Sequence, residues 1–127
     1  MSTELAWAAG LFDGEGSTFV WKGNRRRDYG SIRVAVGQSH DPEVLRRFQQ
    51  AVSLGRVYGP YGGERKFQYH ASNREGCEVL RKLAPYLSGP KKKQARVALE
   101  RYNMALAGRR QYGGHPRHEA VKGITDA

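Results

Sequence analysis

The stretch WAAGLFDGEGS, residues 7–17, is apolar for six positions and then carries Asp13 and Glu15 among glycines. Ser2 and Thr3 can both cap a helix, so the pattern predicts a helix over about residues 4–13 that ends at the glycines. Two carboxylates at the end of an apolar helix are unexpected in a strongly basic chain. The rest of the sequence indicates what they are for.

The predicted helix carries small residues, Ala6, Ala9 and Gly10, along its surface. Small side chains let a neighbouring helix or sheet approach closely, because the side chains at the contact set the distance between two packed elements. Two partners are open at this point: the chain's own sheet, or the same helix of a second copy of the chain.

Hydrophobic periodicity predicts seven more elements after the first helix. In chain order they are strand 17–24, strand 29–38, a helix from Asp41-Pro42 to Gly55, strands 55–63 and 65–71, a helix from Asn73 to Leu87, and a helix over 91–106. Two hairpins, each preceded by a helix, predict an α+β domain with one four-stranded antiparallel sheet and helices on one face. Residues 1–107 form this single domain, and residues 108–127 are expected to be a basic, flexible tail.

The charge of the chain indicates its class of partner. Lys and Arg number 22 against 12 Asp and Glu, a formal net charge of +10. This balance favours a polyanion, nucleic acid before a membrane, since no stretch approaches the roughly 18 apolar residues of a membrane helix. Cys77 is the only cysteine, which excludes an intrachain disulfide and a cysteine-based zinc site. No secretory signal is recognisable, so a cytoplasmic location is expected.

One face of the predicted sheet is basic. Alternation along the strands places polar side chains on it, and more arginines lie at the adjoining turns. These candidate DNA-binding residues are Trp21, Arg25, Arg26, Arg27, Arg33, Arg56, Tyr58, Arg65, Lys66, Gln68 and His70. Arg and Lys neutralise phosphates, and Arg, Lys and Gln recognise base edges in the major groove.

Two aromatic residues do not fit an ordinary polar face. Counting from Ser17 puts Phe19 and Trp21 on the same side as the basic residues. Three interpretations are open: contact with DNA, packing against a partner, or a bulge that shifts the register of the strand.

Residues 8–16, AAGLFDGEG, resemble the LAGLIDADG motif of the homing endonucleases. Gly10, Leu11, Asp13 and Gly16 are identical in position, while Phe12 replaces Ile, Gly14 replaces Ala and Glu15 replaces the second Asp. The similarity in element order covers residues 4–106. It implies the αββαββα homing-endonuclease fold, whose sheet forms a DNA-binding saddle with the helices on the opposite face.

The resemblance also implies a function. A single motif in a short chain implies a homodimer, with Ala6, Ala9, Gly10 and Asp13 at the interface. Such a dimer would be a site-specific homing endonuclease, of the kind associated with intron or intein mobility. It would hydrolyse both strands of a long, pseudo-palindromic double-stranded DNA site. The expected cofactor is Mg2+, with Mn2+ as a substitute, and neither a small-molecule cofactor nor a membrane is expected.

The resemblance assigns roles to individual residues. Glu15 and the carbonyl group of Gly14 would bind the metal, whereas Asp13 is assigned to hydrogen bonding at the helix end. Gln38 matches a position that holds a solvent molecule near the scissile phosphate. The segment KKKQA resembles a basic stretch that supports the transition state, with Lys91 as the first choice and Lys93 as the second.

Functions of other classes are also open. One is a non-cleaving, sequence-specific DNA-binding protein or an RNA-splicing maturase on the same scaffold. Another is a general RNA-binding domain, for which only Phe19 and Trp21 supply an aromatic platform. Retention of both Asp13 and Glu15 favours the nuclease. The four histidines, His40, His70, His115 and His118, lack the spacing of zinc ligands.

Overall fold

Helix α1 begins where the sequence predicts, since the Ser2 hydroxyl accepts a hydrogen bond of 3.1 Å from the Leu5 N–H. The computed structural model describes residues 2–21, 30–39, 41–63, 65–113 and 120–124, without the side chains of 38, 39 and 108–113. The elements are α1 (Thr3–Glu15), β1 (Gly16–Trp21), β2 (Ser31–Ser39), α2 (Glu43–Val52), β3 (Arg56–Tyr61), β4 (Lys66–Ser72), α3 (Asn73–Leu83), a 3-10 turn (Ala84–Tyr86) and α4 (Gly89–Gly113). The predicted element order is confirmed.

The four strands form one antiparallel sheet in the order β1-β2-β4-β3, as predicted. The pairing of β1 with β2 is continuous, from Gly16 opposite Val36 to Trp21 opposite Ser31. A bulge in β1 is therefore excluded. The register shifts only on β3, between Tyr58 and Tyr61.

The core lies between the sheet and the helices. Alternate residues of β2 (Ile32, Val34 and Val36) are buried beneath the helices, as their spacing predicts. An aromatic cluster joins the layers: the Phe48 ring packs edge-on against Tyr69 at 4.8 Å and stacks with Phe12 at 6.4 Å. The Tyr69 hydroxyl donates a hydrogen bond of 2.7 Å to the Leu54 carbonyl, and burial raises the pKa of this hydroxyl. The hydroxyl group of Tyr69 thus has a hydrogen-bond partner although the ring lies in the apolar core.

Two predicted helix starts differ in detail. The N-cap residue of α2 is Pro42 rather than Asp41, but the Asp41 carboxylate accepts a hydrogen bond of 2.9 Å from the N–H of Glu43, the first helical residue. Asn73, predicted as the cap of α3, is instead the first helical residue, with a φ of 55°. Its side chain accepts a hydrogen bond from the Ile32 N–H and so ties α3 to strand β2.

The C-terminal segment differs from the predicted flexible tail. Helix α4 does not stop near residue 107 but continues to Gly113. Further on, the Asn103 side-chain amide forms two hydrogen bonds with the backbone of Val121, at 2.9 and 2.8 Å. Val121 and Ile124 also pack against the core. Two isolated apolar residues without periodicity gave no sign of this docking in the sequence.

Within the described part of the chain, no helix combines the length and the apolar composition that crossing a membrane requires.

Candidate active site and nucleic-acid interface

Helix α1 passes directly into strand β1 without a loop. The Gly16 N–H donates to the Phe12 carbonyl and closes the helix, and Gly16 already lies in the extended conformation. A Cβ atom at Gly16 would lie 2.1 Å from the Phe12 ring, so only glycine permits this close approach. The end of α1 is therefore fixed rigidly at the edge of the sheet.

Asp13 is held by the N-terminus of α4. Its carboxylate accepts hydrogen bonds from the Ser88 N–H at 3.1 Å and from the Ser88 hydroxyl at 2.9 Å. These contacts place a negative charge at the start of α4, where the helix dipole favours it. The sequence anticipated a helix-end role for Asp13 but not its partner, because Ser88 lies 75 residues away.

Glu15 is the last residue of α1, and unlike Asp13 it is not held by hydrogen bonds. Its side chain is exposed and forms no hydrogen bond or ion pair with any other described residue. The neighbouring Gly14 is exposed as well, and it belongs to the last helical turn, whose carbonyl groups lack partners within the helix. A free carboxylate beside such carbonyls suits a hard divalent cation, since both donors are oxygen atoms and the helix C-terminus is negative.

The described residues of one chain do not complete a metal site at this position. Among the described residues, no group of three or more His, Cys, Asp or Glu side chains comes together in a way that could hold a metal ion. Asp13 lies close in sequence, but Ser88 occupies its carboxylate. Further ligands would have to come from outside these residues.

Lys91 lies against the end of α1. Its Nζ donates a hydrogen bond of 2.6 Å to the Gly16 carbonyl and lies 5.6 Å from the centre of the Phe12 ring. Lys93 is exposed instead. Lys91 was the first choice from the sequence, and the structure brings it to the residue that follows Glu15.

The backbone of Gln38 lies at the same end of the sheet. In the antiparallel β1–β2 pair, Val36 lies opposite Gly16, so Gln38 is two residues beyond the start of β1. Its pairing partner on β4 is Phe67. The side chain of Gln38 lies outside the described residues, and its predicted role stays a prediction.

The predicted interface residues of α1 divide between two sides of the helix. Ala6 and Gly10 are exposed, and a Cβ at Gly10 or Gly14 would meet no atom within 4 Å. Ala9 does not belong with them, because it is completely buried in the core. The sequence carried a signal for this: Ala9 stands three residues before the apolar Phe12, which places both on one side of a helix.

The predicted basic face exists on the sheet surface away from the core. Arg33, Arg56, Tyr58, Lys66 and Gln68 are exposed, and His70 is half-buried. The His70 ring nitrogen Nε2 lies 2.8 Å from Gln68 Oε1, and the rings of His70 and Tyr58 are 5.4 Å apart. Burial and the Arg33 guanidinium lower the pKa of His70, which keeps the ring uncharged at neutral pH.

Arginines predicted at the turns are only partly described. Arg65 is exposed in the turn before β4, with a φ of 51°. Arg25, Arg26 and Arg27 lie outside the described residues.

Phe19 and Trp21 lie on the basic face, as counting along β1 predicted. They are 48% and 43% exposed, and their rings stack at a centroid distance of 6.0 Å. The Arg33 guanidinium lies 5.6 Å from the Trp21 ring centre. Phe19 was not among the predicted DNA-binding residues, although its position directly opposite Arg33 places it in the same row.

Comparison with solved structures identifies the fold. No protein-family model and no curated protein sequence matches the chain. The chain is similar to the homing endonuclease I-CvuI in complex with the I-CreI target, with 22% identity, a TM-score of 0.66, and coverage of 91% of this chain and 72% of the other. It is also similar to the archaeal intron-encoded homing endonuclease I-Vdi141I complexed with DNA. The identity is 20% and the TM-score 0.69, with coverage of 86% of this chain and 72% of the other.

A longer protein matches equally well. The LAGLIDADG homing endonuclease I-GzeII, in complex with its DNA target, is 20% identical with a TM-score of 0.70, over 89% of this chain and 40% of the other. The α+β fold predicted from residues 8–16 and from the element order is therefore confirmed as the LAGLIDADG homing-endonuclease fold.

Proposed function

We propose that this chain, which has the fold of the LAGLIDADG homing endonucleases, is a homodimeric, metal-dependent endonuclease of double-stranded DNA. The observation that carries the proposal is Glu15, an exposed carboxylate without a described partner, which ends α1 next to the Lys91 contact with Gly16. An isolated acid at the rim of a basic face opposes DNA binding unless a cation lies between it and the phosphates. The similar structures contain DNA, which supports the choice of substrate.

The open side of α1 supports pairing of two copies. Ala6, Gly10 and Gly14 leave the helix backbone uncovered on that side. The same helix of a second copy fits against it about a two-fold axis, since an isologous interface joins the same surface of both subunits. The two Glu15 side chains would then lie near the axis, and the dimer would supply a second carboxylate beside the first.

The donors at this position fit Mg2+, with Mn2+ as an alternative. Glu15 and the Gly14 carbonyl would hold the ion, and Asp13 would stay with Ser88. A bound divalent ion supplies charge neutralisation at the phosphate and lowers the pKa of a coordinated water.

Other residues of the site act on the substrate directly. Lys91 donates one of its three N–H groups to Gly16, so two are left to stabilise negative charge that develops on the phosphate. The Gln38 amide would orient the attacking water as a hydrogen-bond partner. The basic face would recognise one half-site in each copy, so that the dimer cuts both strands of a long, roughly palindromic site.

The experiment separates binding from cleavage. A duplex is selected from randomised DNA with the wild-type protein in the absence of divalent ions, and its Kd and its cleavage with Mg2+ or Mn2+ are then measured. Glu15→Gln keeps the shape and removes the charge, so cleavage should fall by about 100-fold or more, while binding stays within a few fold of wild type. Glu100→Gln, at an exposed acid of α4, serves as the matched control and should cut normally.

Two results would contradict the proposal. Undiminished cleavage by Glu15→Gln would remove the carboxylate from the mechanism. A wild-type protein that binds its selected duplex but cuts it with neither ion would be a non-cleaving DNA-binding protein.

A further inference from the structure

The outer end of the β1–β2 ribbon carries an aromatic patch, defined here as Phe19, Trp21 and the guanidinium of Arg33. Both rings are nearly half exposed although they stack on each other. Arg33 is fixed between two neighbours, because its Nε donates to the Ser72 hydroxyl at 3.3 Å while its guanidinium lies over Trp21. The patch is therefore a preorganised apolar surface with a cation at its side.

The two aromatic side chains do not face outward because of an irregularity in strand pairing. The ladder between β1 and β2 is continuous, and Thr18 and Val20 occupy the core side of the strand. Exposed aromatic side chains of this size lose the free energy that burial would provide. Two of them side by side on one face indicate a surface that is covered by a partner.

The charges around the patch identify the partner. None of the four strands contains an Asp or a Glu, and the same face carries Arg33, Arg56 and Lys66. A polyanion is attracted to this face, and a two-stranded ribbon fits the major groove of double-stranded DNA. The one apolar group on the base edges in that groove is the methyl group of thymine.

We infer that the aromatic patch recognises thymine methyl groups in each half-site; this inference rests on the proposed function. Its position along the strand fixes which base pairs are involved. At the rise of a β-strand, Phe19 and Trp21 lie about 10 and about 17 Å from Gly16, the residue after Glu15. With about 3.4 Å per base pair, these distances correspond to thymines about three to five base pairs outward from the scissile phosphates.

The test removes single methyl groups from the DNA. In the duplex selected by the wild-type protein, each thymine is replaced in turn by deoxyuridine, and the Kd is measured by fluorescence anisotropy without divalent ions. One or two replacements in the predicted interval should weaken binding about fourfold each, the effect of exposing one buried methyl group. With Phe19→Ala and Trp21→Ala, the same replacements should have no further effect, because the contact is already gone.

Tyr61→Ala provides the matched control, since Tyr61 is a similarly exposed aromatic residue on β3. This variant should keep the full sensitivity to deoxyuridine. The inference is overturned if wild-type protein binds its duplex equally well with every thymine replaced, or if the patch variants keep the wild-type sensitivity. If the patch instead contacts a second copy of the chain, wild-type protein should bind DNA equally well with and without the thymine methyl groups. Phe19→Ala should then form a weaker dimer. Failure to select any duplex would reject the proposed function itself, a separate result.

Discussion

The two sides of α1 are built from similar small and apolar residues, yet they differ completely in what they contact. Ala9 and Phe12 on the inner side are buried, and the Phe12 ring stacks with Phe48 and lies 5.6 Å from the Lys91 Nζ. On the outer side, Ala6 and Gly10 face open space. Composition therefore does not distinguish a side that stabilises the chain from a side that is free to bind another molecule.

The same division separates the two acids at the helix end. Asp13 accepts hydrogen bonds from Ser88, whereas Glu15 forms no hydrogen bond or ion pair with any other described residue. Two carboxylates two residues apart thus have different expected roles, structural for the first and functional for the second. Substitutions on the two sides should affect different measurable quantities.

The largest effect on stability is expected on the inner side, at Phe12. Phe12→Ala should lower the free energy of unfolding by about 3–5 kcal/mol, because it leaves a cavity beside Phe48 and Gly16. Urea unfolding followed by circular dichroism measures this difference. Leu11→Ala, at a half-buried neighbour, should cost clearly less. Equal losses for both variants would contradict the division of the helix into two sides.

An intermediate effect is expected at Asp13. Asp13→Ala should lower the free energy of unfolding by about 1–2 kcal/mol, because the Ser88 N–H loses its acceptor at the start of α4. Glu15→Ala should change it by less than about 0.5 kcal/mol, as for other exposed residues. Thermal unfolding of the two variants compares them directly. If Glu15→Ala is as destabilising as Asp13→Ala, Glu15 has a structural partner and the comparison fails.

At Gly10 the sign of the expected effect on stability reverses. Gly10→Ala should raise the stability of the helix by about 0.5–1 kcal/mol, since the new methyl group meets no other atom. Gly10→Leu should also fold but should prevent two copies of α1 from approaching closely. Sedimentation velocity should then show a monomer at concentrations where the wild-type protein is a dimer.

Gln50→Leu is the control for that experiment, because it adds the same side chain at an exposed position of α2. It should leave the dimer unchanged. A wild-type protein that sediments as a monomer at micromolar concentration would rule out pairing through α1.

Local features of the fold were predictable because local residues determine them. The Ser2 cap, the alternation of Ile32, Val34 and Val36, and the outward direction of Phe19 and Trp21 all depend on neighbours within a few residues. The arrangement at the end of α1 was not predictable in the same way. Its decisive contacts, from Asp13 to Ser88 and from Lys91 to Gly16, join residues far apart in sequence.

The errors also have physical causes. Ala9 was placed on the outer side because a small residue suits close packing on either side of a helix. The docking of Val121 uses the Asn103 side-chain amide and two isolated apolar residues, none of which belongs to a periodic pattern.

The contacts of Asp13 and Lys91 have a consequence for synthesis of the protein. Each joins residues that are 75 positions apart, so contacts at the end of α1 form only after the start of α4 has been synthesised. Contacts of long sequence separation form late, because the entropy of closing a long loop opposes them. A growing chain that ends before residue 88 therefore has Glu15 but not the contacts that position it. The site is completed only when nearly the whole domain has been translated, and nascent chains are expected to be inactive toward nucleic acid.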